Sequence, residues 1–215
     1  MNTALTLSSS GLEWDENALN GRYAFLRKRA EDIRLDLLYY PYRLFHMRGR
    51  AVWRFFGERP LEMLLVTDAR TGKCLRVSSF PHVVEERLSF ECAENTEDFS
   101  PARLTGESGT RHVSACVAAP TYGEEEAAAR AEEFALSGWG RRCNLPLGPR
   151  ADIRCTEKES LFLYKPFWIM RPTDGSDGGR MFVFDATTGL GGVSEYWNVV
   201  EYVLELQRGG GKKTE

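Results

Sequence analysis

Apolar runs of strand length, broken by turn residues, dominate the middle and the end of the chain, and two of these stretches match each other. The first runs from Leu38 to Leu88 and opens Leu38-Tyr39-Tyr40-Pro41-Tyr42-Arg43-Leu44-Phe45. The second runs from Leu163 to Leu204 and opens Leu163-Tyr164-Lys165-Pro166-Phe167-Trp168-Ile169-Met170. Each continues into an apolar run that ends in the same turn chemistry, Asp68-Ala69-Arg70-Thr71-Gly72 and Asp185-Ala186-Thr187-Thr188-Gly189. An aspartate can accept hydrogen bonds from backbone N–H groups just ahead of it, and glycine supplies a positive φ. Asp68, Gly72, Asp185 and Gly189 therefore predict two tight structural turns. A third match follows in register, Val77-Ser78 and Val83-Val84-Glu85 against Val193-Ser194 and Val199-Val200-Glu201.

The pattern predicts strands over Leu37–Trp53, Leu61–Thr67 and Cys74–Ser78, joined as an antiparallel meander. Pro41 lacks an N–H and belongs at a strand start, an edge or a bulge. Helical spacing appears over Tyr23–Ile33, with Asn20 as its cap, and over Glu124–Leu136, where Ala128, Ala131, Phe134 and Ala135 form a stripe ended by Gly138 and Gly140. Val83, Val84, Arg87 and Leu88 share helical spacing, and Tyr196–Leu206 reads as a closing helix. Arg111–Ala119 suggests one more strand, and Arg141–Arg154 reads as irregular.

The expected fold is therefore α+β, built of two related halves by internal duplication, each a helix packed on an antiparallel β-meander. The halves are residues 13–90 and 111–206. Residues 1–12 form a flexible N-terminal arm, 91–110 an acidic linker, and 207–215 a frayed tail. In layout this is similar to cystatin-like and PepSY-like modules, a resemblance that implies binding or regulation and rests on no motif.

Composition narrows the picture only slightly. The 215 residues carry 42% hydrophobic and 27% charged side chains, enough apolar material for a core without disulfides or metal. A net charge of -3 offers no overall attraction to nucleic acid or to an anionic membrane, and the basic run Arg27-Lys28-Arg29 is followed at once by two acids. The first residues lack the basic and apolar regions of a signal peptide, and no stretch approaches the ~20 apolar residues that span a bilayer. Five scattered cysteines, never in a Cys-x-x-Cys pair, suit reduced thiols. A cytoplasmic protein with no membrane partner is the expectation.

No catalytic motif emerges. His112 and Cys116, four apart in a strand, lie about 13 Å apart, too far for a proton transfer. The Asp174–Asp177 loop lacks the ligand ladder of a calcium site, and the turn aspartates read as backbone acceptors. No catalytic residue, metal or cofactor is expected. The aromatics are the one mild excess, and at strand positions they are ordinarily core. If they line a ligand wall instead, Tyr39, Tyr42, Tyr164 and Trp168 would form it in a cleft between the halves, with Arg43 or Lys165 as the charged anchor. The leading expectation is a non-enzymatic module that binds a protein or peptide partner, with pairing of two copies allowed. A small-molecule binder or enzyme using the aromatic pocket is the alternative. A single-strand nucleic-acid binder using Arg48, Arg50 and Arg54 is the weaker one.

Overall fold

The computed structural model describes residues 3–13, 18–19, 33–91, 96–107, 109–144, 150–172, 181–191 and 196–210. Among these residues nine strands run in chain order: β1 (Thr3–Ser9), β2 (Ile33–Trp53), β3 (Gly57–Asp68), β4 (Cys74–Val77), β5 (Val84–Phe90), β6 (Ser100–Gly106), β7 (Gly109–Val117), β8 (Asp152–Pro172) and β9 (Phe182–Asp185). Two helices have their full bounds among the described residues, α1 (Glu124–Cys143) between β7 and β8, and α2 (Trp197–Gly210) after β9. All nine strands belong to one sheet, ordered β4-β3-β2-β7-β6-β5-β1-β8-β9. Because β8 also pairs with β2, the six strands from β2 round to β8 close into a barrel. Closure removes the free edges that an open sheet of those strands would leave.

This corrects the expected class. Among the described residues the chain is mostly β, at 55% strand against 21% helix, and it does not consist of two halves each carrying a helix on a meander. Thr3–Ser9 is no arm: it pairs antiparallel with β5, Leu5 opposite Leu88 and Leu7 opposite Glu86. The residues read as a short helix after Phe80 are strand β5, and the expected linker contains strand β6. The predicted helix over Tyr23–Ile33 lies outside the described residues except for Ile33, which opens β2. Residues 174–179, 193 and 194 also fall outside them.

The chain divides into two compact units, neither of them contiguous in sequence. One comprises Met1–Tyr40, His82–Ala119 and Tyr164–Glu215. Its core packs Leu7, Leu37, Tyr39, Leu88, Phe90, Leu104, Val117, Trp168 and Met170 together. Glu86 also points inward, its carboxylate accepting a hydrogen bond from the Tyr39 hydroxyl at 3.0 Å. An inward charge in β5 breaks the apolar alternation of Leu88 and Phe90, and the helical spacing seen around it is accidental. A second buried acid, Asp36, takes Arg34 Nε at 2.8 Å and the Arg171 guanidinium.

The other unit comprises Pro41–Pro81 and Pro120–Leu163. Here α1 lies on strands of the first matched stretch and not, as expected, on those of the second. Ala127, Ala131, Ala135 and Trp139 recur every four residues and meet Phe45, Met47, Met63 and Leu65. Alanine's small side chain lets the helix approach the sheet closely, and Gly138 comes close to Met63: a Cβ there would stand 3.0 Å from its terminal carbon. Gly138 and Gly140 therefore do not end the helix, which continues to Cys143 with three glutamates in its first turn and two arginines in its last, as its dipole favours.

The likeness between the two matched stretches is real but local. Tyr42, next to Pro41, pairs with Asp68, and Phe167, next to Pro166, pairs with Asp185. Asp68 Oδ1 accepts the N–H groups of Arg70 and Thr71 at 2.8 and 3.0 Å, and Asp185 Oδ1 those of Thr187 and Thr188 at 2.9 and 3.3 Å. Gly72 donates to Asp68 O at 2.8 Å while Asp68 donates to Lys73 O at 2.9 Å. Gly189 and Asp185 repeat this at 2.7 and 2.8 Å, the second bond reaching Leu190 O. Gly72 has φ 70° and Gly189 φ 66°. Each glycine is the left-handed first residue of a G1 bulge, where a Cβ would be strained. Beyond the turns the likeness ends: Val84-Glu85 opens a strand, whereas Val199-Val200-Glu201 lies inside α2.

Candidate functional site

The six residues named for an aromatic pocket are placed as follows. Tyr39 and Trp168 are fully buried members of one core, and Tyr164 packs half-buried against it. Burial, and then the neighbouring Glu86 carboxylate, hold the Tyr39 phenol well above its ordinary pKa. Burial and then Glu97 push the Tyr164 phenol up as well. Lys165 Nζ pairs with Asp185 Oδ2 at 2.7 Å and lies 5.5 and 5.8 Å from the ring centres of Phe167 and Tyr196. Those four belong to the barrel unit, while Tyr42 and Arg43 belong to the helix-covered one. The Arg43 guanidinium is 3.6 Å from Glu124 and stacks over Phe162 at 5.0 Å. Tyr39 and Trp168 thus act as core and both proposed anchors have charge partners in place.

The remaining chemistry is structural too. The turn aspartates use a carboxylate oxygen on backbone N–H groups, and among the described residues no cluster of His, Cys, Asp and Glu is arranged to hold a metal ion. Arg48, named for nucleic acid, is gripped by Glu157 at 2.8 Å and Glu159 at 3.1 Å, and Arg50 lies 3.5 Å from Glu58. Among the described residues no helix is long and apolar enough to cross a membrane.

Cys116 is buried, with Sγ 2.8 Å from Glu97 O and 3.9 Å from the Tyr202 hydroxyl. Burial, the largest cause, pushes its thiol up to about 12. At pH 8 only roughly one such thiol in ten thousand is ionised, and the thiolate is the nucleophile. His112 is exposed on the same strand and faces Glu91 at 3.5 Å. Iodoacetamide at pH 8 should therefore leave Cys116 unmodified in the native chain and label it fully in urea, as read by peptide mass mapping. Native labelling at the rate of a free thiol would contradict this burial.

What the fold does leave open is an edge. β4 is one of the sheet's two terminal strands, β9 being the other, and among the described residues it pairs on one side only, with β3. The G1 bulge at Gly72 fixes its phase: with Asp68 N–H on Lys73 O, the ladder alternates so that Leu75 and Val77 direct their backbone groups toward β3. Cys74 and Arg76 direct theirs outward. Leu75 is 68% exposed, on the sheet face away from α1, beside the half-buried Val66, Leu64 and Val77. The sequence placed Leu75 in a strand, but nothing in it marks that strand as an edge. An apolar residue between Cys74 and Arg76 reads equally well as core. Comparison with protein-family models, with curated proteins and with solved structures finds no match for this chain.

Proposed function

We propose that this chain is a non-enzymatic binding module that takes an extended segment of a protein or peptide partner as an added strand along the outer edge of β4. The observation that supports this reading is the terminal position of β4 together with the exposed Leu75 on it. Strand addition draws affinity from main-chain hydrogen bonds and selectivity from alternate side chains. Here the outward groups of Cys74 and Arg76 supply the hydrogen bonds. Leu75, with Val66 and Val77 beside it, favours an apolar residue in the incoming segment, while Arg76 on the opposite face favours an acidic neighbour to it. The edge is short and carries a cation, two devices that limit indiscriminate pairing.

A displayed library of random peptides, selected on the purified chain, tests this. Arg76→Pro removes an outward donor without touching the β3 ladder, and Leu75→Lys removes the apolar contact. Both should lower the affinity of the selected peptides by about tenfold or more. Peptides that bind both variants as tightly as the parent chain would contradict the proposal.

A further inference from the structure

The β2–β3 hairpin ends in a three-residue loop, Arg54-Phe55-Phe56, closed by Gly57 at φ 83° opposite Trp53. Phe55 is 80% exposed and Phe56 74%, the two most exposed of the large apolar side chains described. A Cβ built on Gly57 would meet nothing within 4 Å, so the space beside this end of the loop is open among the described residues. Two adjacent phenylalanines left in water at a convex apex are not core residues that failed to find space.

The charges around them are unbalanced. Arg50, Arg54 and Arg59 lie on the last two turns of the ladder and the loop, against the single carboxylate of Glu58. Glu58 is 3.5 Å from Arg50. Arg54 lies 5.4 Å from the Phe55 ring centre, and neither Arg54 nor Arg59 has a carboxylate partner among the described residues. Strand rise places Arg59 about 10 Å behind Phe56. This is close to the ~5–10 Å by which interfacial apolar faces sink below the headgroups. A protein groove would have to enclose this apex on several sides. A lipid interface accepts a convex apolar tip without matched shape and sets phosphates beside the cations.

We infer that the tip of the β2–β3 hairpin is a peripheral anchor for an anionic lipid surface, with Phe55 and Phe56 entering the interfacial layer and Arg54 and Arg59 at the headgroup phosphates. This goes beyond strand addition at β4 and is independent of it. The expectation of no membrane partner rested on the net charge of -3 and on the lack of a spanning segment; a local cluster of arginines behind an apolar tip requires neither an overall positive charge nor a span.

Co-sedimentation with phosphatidylserine–phosphatidylcholine vesicles, and with phosphatidylcholine vesicles alone, tests it. The intact chain should bind the anionic vesicles, bind the neutral ones far less, and lose binding as salt rises. Phe55→Ser with Phe56→Ser should reduce binding by about tenfold or more, and Arg54→Gln with Arg59→Gln by severalfold. All four side chains stand in solvent, so circular dichroism should show both variants folded. Failure of the intact chain to sediment with anionic vesicles would overturn the inference. So would equal binding by the serine variant, or an effect of that variant only on self-association or on a protein complex.

Discussion

Trp139→Ala is expected to lower the unfolding free energy by about 3–5 kcal/mol, the range for removing a large aromatic from a close-packed core. Trp139 is 1% exposed and closes the layer between α1 and the sheet. Its ring lies against Gly49 of β2, where a Cβ would stand 2.7 Å from the indole and 2.5 Å from the Arg154 carbonyl oxygen. Glycine at 49 and tryptophan at 139 thus form one fit, a large ring filling the space an absent side chain leaves. On the same stripe of the helix the next buried residue is Ala135, one turn away, whose methyl group cannot swing into the hole. The cavity should therefore persist rather than collapse. Among the described residues the indole Nε1 has no hydrogen-bond partner. Trp139→Phe, which removes that unsatisfied donor while keeping most of the ring, should cost less than half as much. Urea denaturation followed by circular dichroism measures both. A loss below 1 kcal/mol for the alanine variant would show that this layer is not packed as described.

Asp36→Ala is the second large effect, expected at about 3–5 kcal/mol, because it removes one side of a buried ion pair and strands the other. Asp36 is completely buried, and the Arg171 side chain is 18% exposed. Arg171 Nε already lacks a partner among the described residues, and the guanidinium stacks over Phe99 at 4.8 Å. Without the carboxylate, Arg171 has a cation in a partly closed site and only a ring face to meet it. Arg34, half-exposed and also hydrogen-bonded to Ser114, can turn to water. The double replacement Asp36→Leu with Arg171→Met should recover much of the loss, since a pair of apolar residues avoids the desolvation of both charges. The same urea titration on single and double variants decides it. Additive losses in the double variant would mean the pair is not coupled.

The parts of this fold that were legible in the sequence are those where local chemistry is sufficient. The Asp68 and Asp185 turns could be read because aspartate and left-handed glycine leave one economical hydrogen-bond pattern. Helix α1 was legible from its glutamates and alanines: of the stripe expected, Ala131 and Ala135 are buried and Ala128 and Phe134 pack partly buried beside them, while Ala127 and Trp139 complete the buried stripe. What stayed hidden depends on partners distant in the chain. β1 alternates Leu5, Leu7 and Ser9 inward, too few apolar residues to announce a strand without β5 beside it. β5 places Glu86 inward, a position that makes sense only with the Tyr39 hydroxyl there to meet it. The parallel pairings of β2 with β7 and of β1 with β8 leave no local trace at all. Val-Val-Glu shows the limit most plainly, ending in a strand once and a helix once because surroundings, not the tripeptide, decide. The candidate edge shares this limit: Leu75 was readable as strand, but its exposure follows from where β4 falls in the sheet order.

Amide hydrogen exchange of the chain with and without a selected peptide tests strand addition most directly. The account predicts that the outward N–H groups of Cys74 and Arg76 slow markedly on binding, while those of Leu75 and Val77, already in the β3 ladder, change little. A peptide that binds tightly and leaves Cys74 and Arg76 exchanging at their free rate would contradict it.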